Sequence, residues 1–168
     1  MRAGRDERAR VRGAQRGSAS DLEALFRTHW PRAFRAAYLV THDAGAAEDI
    51  AQESFLSAIR ALDHFDRRRP FGPWLHRIVV NRAIDWTRAR KLRAEVELVD
   101  SLPAPEATDA GGETLAALAK LSPEHRAVIV MRYLLELTPG EIADALELPR
   151  GTVNSRLRRG LDALGDEL

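Results

Sequence analysis

Cysteine is absent from the 168 residues. That excludes disulfides, thiolate metal sites and cysteine nucleophiles, and it suits a reducing compartment. Long apolar runs are missing too: nothing approaches the ~20 residues that a membrane span requires. The Arg-rich N-terminus is followed by no apolar segment, so it does not read as a secretory signal. A cytoplasmic protein without membrane insertion is expected. Net charge of one sign is also lacking, since 26 Lys and Arg meet 25 Asp and Glu for a formal +1. The chain is therefore not uniformly basic. The five histidines, His29, His42, His64, His76 and His125, stand in no metal-ligand spacing. Neither a glycine-rich phosphate loop nor a nucleophile elbow occurs. No metal site, cofactor or catalytic residue is identifiable, and the chain does not read as an enzyme.

What is present is apolar material for packed cores, at 45% of residues, in a length that permits one ordinary domain or two small ones. No strand pattern occurs. From residue 21 to 62 the chain is periodic for helix, with Leu22, Leu25, Phe26, Trp30, Phe34, Ala37 and Tyr38 at spacings of three and four. Ser20 or Asp21 is a candidate cap. A break at residues 41–45 separates a second helix, about 46–62. A loop at 63–72 carries Arg67, Arg68, Arg69 and Pro70, and a third helix follows at about 73–91, with proline suited to its first turn. Four further helical pieces are predicted at about 114–120, 123–135, 138–146 and 150–164. Ser122-Pro123-Glu124 and Thr138-Pro139-Gly140-Glu141 combine a capping hydroxyl, a first-turn proline and an acid at the N-terminal end of the helix dipole.

Charge is segregated along this pattern. Residues 65–93 carry nine Lys and Arg against Asp66 and Asp85, a net +7, whereas residues 94–113 carry six acids and no base, a net −6. Pro103, Pro105, Gly111 and Gly112 lie in the acidic stretch, which reads as a flexible inter-domain linker. Residues 1–20 hold Arg2, Arg5, Arg8, Arg10, Arg12 and Arg16 among small residues. They read as a disordered leader, or alternatively as a basic arm that touches nucleic acid. The expected fold is all-α: a leader at 1–20, a helical domain at 21–93, a linker at 94–113 and a second helical domain at 114–168.

The C-terminal domain has a helix-turn-helix layout. Ile142, Ala143, Leu146, Leu148, Val153 and Leu157 supply the apolar contacts of two crossing helices, broken at Glu147-Leu148-Pro149. Arg150, Thr152, Asn154, Ser155, Arg156, Arg158 and Arg159 lie on the last helix, whose N-terminal half enters the major groove in this motif. Arginine pairs with guanine edges and asparagine with adenine, while Arg156 is better placed for a phosphate. A solvated basic face is the plainer reading of such a charge run. Its position on the second helix of a correctly spaced pair favours DNA.

Two faces of the N-terminal domain are less specific. On the second helix Ile50, Phe55, Ala58, Ile59 and Leu62 form a core face, opposite Asp49, Gln52, Glu53, Leu56 and Arg60. That polar face around one leucine reads as solvated, or as a docking surface. On the third helix Trp74, Arg77, Asn81 and Arg88 form a stripe of the kind that suits single-stranded DNA, where bases stack and phosphates need neutralising. Trp86 reads as core, and Trp74 fits either use.

Three stretches in order, Asp49 to Leu62, Phe71 to Asn81 and Leu121 to Arg159, resemble the extracytoplasmic-function (ECF) group of the sigma-70 family. The resemblance implies a sigma factor that binds core RNA polymerase and directs promoter-specific initiation, with region 2 at 21–93 and region 4 at 114–168. It implies that Asp49, Gln52, Glu53, Leu56 and Arg60 meet the clamp helices of the β′ subunit, and that region 4 meets the β flap. It implies that Phe65, Trp74, Arg77, Asn81 and Arg88 serve the −10 element, where a flipped base is captured at an unstacking cost of a few kcal/mol. It assigns Arg150, Thr152, Asn154, Ser155, Arg156, Arg158 and Arg159 to the −35 element. An acidic linker following a basic polymerase channel and an anti-sigma factor as inhibitor are further implications. Many members carry a basic residue where Asn154 stands, so a different −35 sequence is expected. The leader lies outside the family core, and no C-terminal regulatory extension is expected after Leu168. A conventional helix-turn-helix regulator acting without polymerase would account for residues 138–164, but not for the two N-terminal faces.

Overall fold

The computed structural model describes the backbone of residues 2–97 and 110–167 and the side chains of 6–94 and 112–166. Among the described residues every regular element is helical. The N-terminal half comprises α1 (Arg2–Gln15), α2 (Ala19–Thr41), α3 (Ala44–Ala61), a single 3-10 turn at Leu62–His64, and α4 (Phe71–Glu97). The C-terminal half comprises α5 (Ala110–Lys120), α6 (Pro123–Ile129), a π-turn at Val130–Leu134, α7 (Pro139–Leu146) and α8 (Arg150–Glu167). Of the expected linker, residues 94–97 continue α4 and 110–113 open α5; the rest lies outside the described residues.

Local chemistry sets several helix starts. Ser18 caps α2 and Ser122 caps α6, their side chains accepting from the amides of Asp21 and His125. The cap expected at Ser20 or Asp21 is thus replaced by Ser18, just upstream. Asp43 caps α3 by accepting from the Ala46 amide at 2.9 Å, and it also receives Arg90 of α4 at 2.8 Å. The Ala46 amide first, and Arg90 after it, hold that carboxyl below its ordinary range. Thr138 and Glu141 form a reciprocal capping box at the start of α7.

Helices α2, α3 and α4 pack around Leu25, Val40, Leu75, Val79 and Val80, with Ala33, Ala36, Ala37 and Ala47 fully buried between them. The same apolar cluster runs on through Val128, Met131, Ile142 and Val153 of the C-terminal half. Two expectations are corrected. The leader expected to be disordered contains α1, which buries Val11 to 2% exposure. Ile59, expected in the core, is 40% exposed, because it lies at the edge of the apolar arc of α3 where no neighbour fully covers it.

Arg126 joins the halves. Its guanidinium is buried and donates to the carbonyls of Leu118, Ala119 and Leu121 at 2.8–2.9 Å, and to Val40 of α2. These carbonyls lie at or near the C-terminal ends of α5 and α2, where helix dipoles favour a cation. Burial pulls Arg126 down to about 10, so it remains charged at neutral pH. Burial, followed by the charge of Arg126, pushes His42 down to about 4.

This junction is open to two measurements. Arg126→Met takes away the side-chain donor of these buried carbonyls and is expected to cost on the order of 3 kcal/mol in denaturant unfolding; a loss below about 1 kcal/mol, within the range of an ordinary surface change, would contradict the role given to it. For His42, the folded value lies below the unfolded one near 6.5, so stability is expected to fall as pH drops from 6.5 towards 4. Much of this decline precedes carboxylate titration, and His42→Asn should lessen it in thermal melts.

Candidate nucleic-acid and partner interfaces

The polar face of α3 is exposed as its sequence suggests. Asp49, Gln52, Glu53, Leu56 and Arg60 all face solvent, with Leu56 at 47% exposure. Gln52 donates to Glu48 at 3.3 Å, and Arg60 lies 3.9 Å from Glu53. These are loose surface contacts of little energetic worth. Asp49, Gln52, Glu53 and Leu56 line an open groove whose far wall is Arg82, Asp85 and Trp86 of α4. Arg82 braces that wall by donating to Ser57 at 2.6 Å. Trp86 is half-buried, with Arg90 stacked 5.0 Å from its ring.

The loop between the 3-10 turn and α4 rests on an aromatic cluster. Phe65 lies 4.5 Å from Trp74 and 5.9 Å from Phe71, ring centre to ring centre. Phe65 is only 8% exposed, so its ring is occupied by this cluster. Arg67, Arg68 and Arg69 project into solvent, and Asp66 accepts from both the amide and the side chain of Arg68.

The stripe on α4 is brought together, but it is not bare. Arg77 donates to Glu147 at 3.1 Å, Asn81 to the Ala145 carbonyl at 3.1 Å, and Arg88 to Glu124 at 3.0 Å. All three acceptors belong to the C-terminal half. Sequence reasoning found the donors and missed these acceptors, which lie 36 to 70 residues away. The one local signal was Glu147, an acid at the turn, which adopts a left-handed φ of 54°.

On α8, Arg150, Asn154, Arg158 and Arg159 are exposed, Thr152, Ser155 and Arg156 are half-buried, and Val153 and Leu157 enter the core. Spacing of four places Arg150, Asn154 and Arg158 on one outward row. Arg156 turns the other way, into a cleft shared with Asn81, Arg88 and Glu124. Helix α8 approaches α6 closely at Gly160, where an added Cβ would meet Ile129 at 2.9 Å.

Comparison with known proteins assigns the chain to a family. The model for sigma-70 region 2 matches residues 25–93, and that for sigma-70 region 4 matches residues 112–164. The chain is 32% identical to the ECF RNA polymerase sigma factor SigW of Bacillus subtilis (strain 168), over 95% of each chain. It is 36% identical to the ECF RNA polymerase sigma factor SigL of Mycobacterium tuberculosis (strain ATCC 25618 / H37Rv), over 93% of each. Among solved structures it is similar to CnrH in complex with the cytosolic domain of CnrY, with a TM-score of 0.72, 28% identity and 96% of each chain covered. It shares its fold with the sigma factor RpoE of Bartonella quintana, solved with the anti-sigma factor NepR, at a TM-score of 0.73 and 21% identity over 89% of this chain and 97% of that one. The chain belongs to the sigma-70 family, as an ECF RNA polymerase sigma factor that directs promoter-specific initiation.

Proposed function

We propose that this sigma factor holds promoter DNA at two points, the −10 element through α4 and the loop before it, and the −35 element through α8. The observation that carries the reading is the row of donors Arg77, Asn81 and Arg88, each already engaged by an oxygen acceptor. Oxygen acceptors are what phosphates and base edges offer. On this reading Phe65 and Trp74 form the floor beneath the loop, and Asn81 reads a captured base. The exposed row Arg150, Asn154 and Arg158, with Arg159 beside it, reads duplex edges. Thr152 and Ser155 contact the backbone.

The groove beside Leu56 docks the β′ clamp helices of core polymerase, and region 4 docks the β flap. The protein works in the cytoplasm as a regulatory subunit without catalysis of its own. Among the described residues no helix is long and apolar enough to cross a membrane. An anti-sigma factor is the expected inhibitor; CnrH is itself seen in complex with the cytosolic domain of CnrY.

Reversing Asp49 and Glu53 to Lys should abolish pull-down with purified core polymerase; undiminished capture would sink the polymerase-docking assignment of that face. Asn81→Ala should reduce promoter opening by holoenzyme while −35 duplex binding persists, and equal loss in both assays would point to misfolding. Arg159→Ala should cost about 1–3 kcal/mol of discrimination at one −35 position, whereas uniform weakening would reassign it to a phosphate.

A further inference from the structure

The loop that carries Arg67, Arg68 and Arg69 is tied at both stems to α1. Gln15 donates its side-chain amide to the carbonyls of Leu62, at 2.8 Å, and Phe65, at 3.2 Å. Glu7 accepts from the Phe71 amide at 3.4 Å, and its other oxygen lies 2.9 Å from His29. Gln15 therefore holds the entry to the loop and Glu7 its exit. The two residues are eight apart, about 12 Å along a helix, so one rigid element spans both stems. Asp66 braces the tip, taking the Arg68 amide on its side chain and the Arg69 amide on its carbonyl. Three adjacent exposed cations would otherwise repel one another and spread the loop.

We infer that Gln15 and Glu7 are positioning residues, which set the loop at 65–70 in the geometry that base capture requires. This rests on the −10 reading proposed above. Neither residue belongs to the apolar core, where α1 contributes Val11. Their side chains reach the backbone at the two places where the loop leaves regular structure.

The test uses full-length protein in holoenzyme with core polymerase. Selection from a single-stranded DNA library returns the preferred −10 segment of the wild type, and affinity is then measured for it and for each single-base change. Gln15→Glu removes the donor at constant shape, Glu7→Ala removes the acceptor, and Glu7→Gln keeps an acceptor. Gln15→Glu and Glu7→Ala are expected to lose about tenfold discrimination at the captured base, equivalent to about 1.4 kcal/mol. Core polymerase affinity and −35 duplex affinity should be unchanged, and Glu7→Gln should restore discrimination. Retained discrimination in Gln15→Glu and Glu7→Ala overturns the inference and leaves the −10 reading standing. Parallel loss of polymerase binding also overturns it, since the residues would then be structural only. A wild type without any discrimination overturns the −10 reading itself, and the inference with it.

Discussion

A buried guanidinium that meets only carbonyl oxygens among the described residues is costly to accommodate, and the arrangement of both halves answers to it. Arg126 meets carbonyl oxygens drawn from the end of α5, the turn before α6 and the end of α2. Removing a charge from water costs several kcal/mol unless its donors are satisfied. Here the satisfaction requires α2 and α5 together, so the cation specifies how one half sits on the other. His42, neutral beside it, completes the environment. The contacts of Arg77, Asn81 and Arg88 then follow along α4.

Much of the fold was legible because its signals are local. Ser122 with Pro123 and Thr138 with Glu141 mark helix starts within four residues of chain, and both form as expected. The apolar period of α3 located Ile50, Phe55, Ala58 and Leu62 correctly. It failed at Ile59, because periodicity gives a direction and says nothing of what stands there. Helix α1 was missed for a related reason. Its sequence is rich in arginine and small residues, and what holds it is Val11 together with Gln15 and Glu7, whose loop partners lie 47 to 64 residues away.

The surfaces divide in the same manner. Exposure of the α3 face and the outward row of α8 could be read from spacing alone. The engagement of the α4 stripe could not, because Glu124, Ala145 and Glu147 meet it only after the chain has turned back. Arg156 belongs with them: its sequence position suggested a phosphate contact, and it lies in the cleft beside Glu124.

The contact between Asn81 and the Ala145 carbonyl has a consequence for affinity. Any ligand for the α4 stripe competes with an occupant that belongs to the same chain and is never diluted. The observed affinity for such a ligand is then the intrinsic one reduced by the fraction of molecules in the parted state. Binding strength at that stripe is thus a property of the junction between the halves as much as of the residues that touch the ligand.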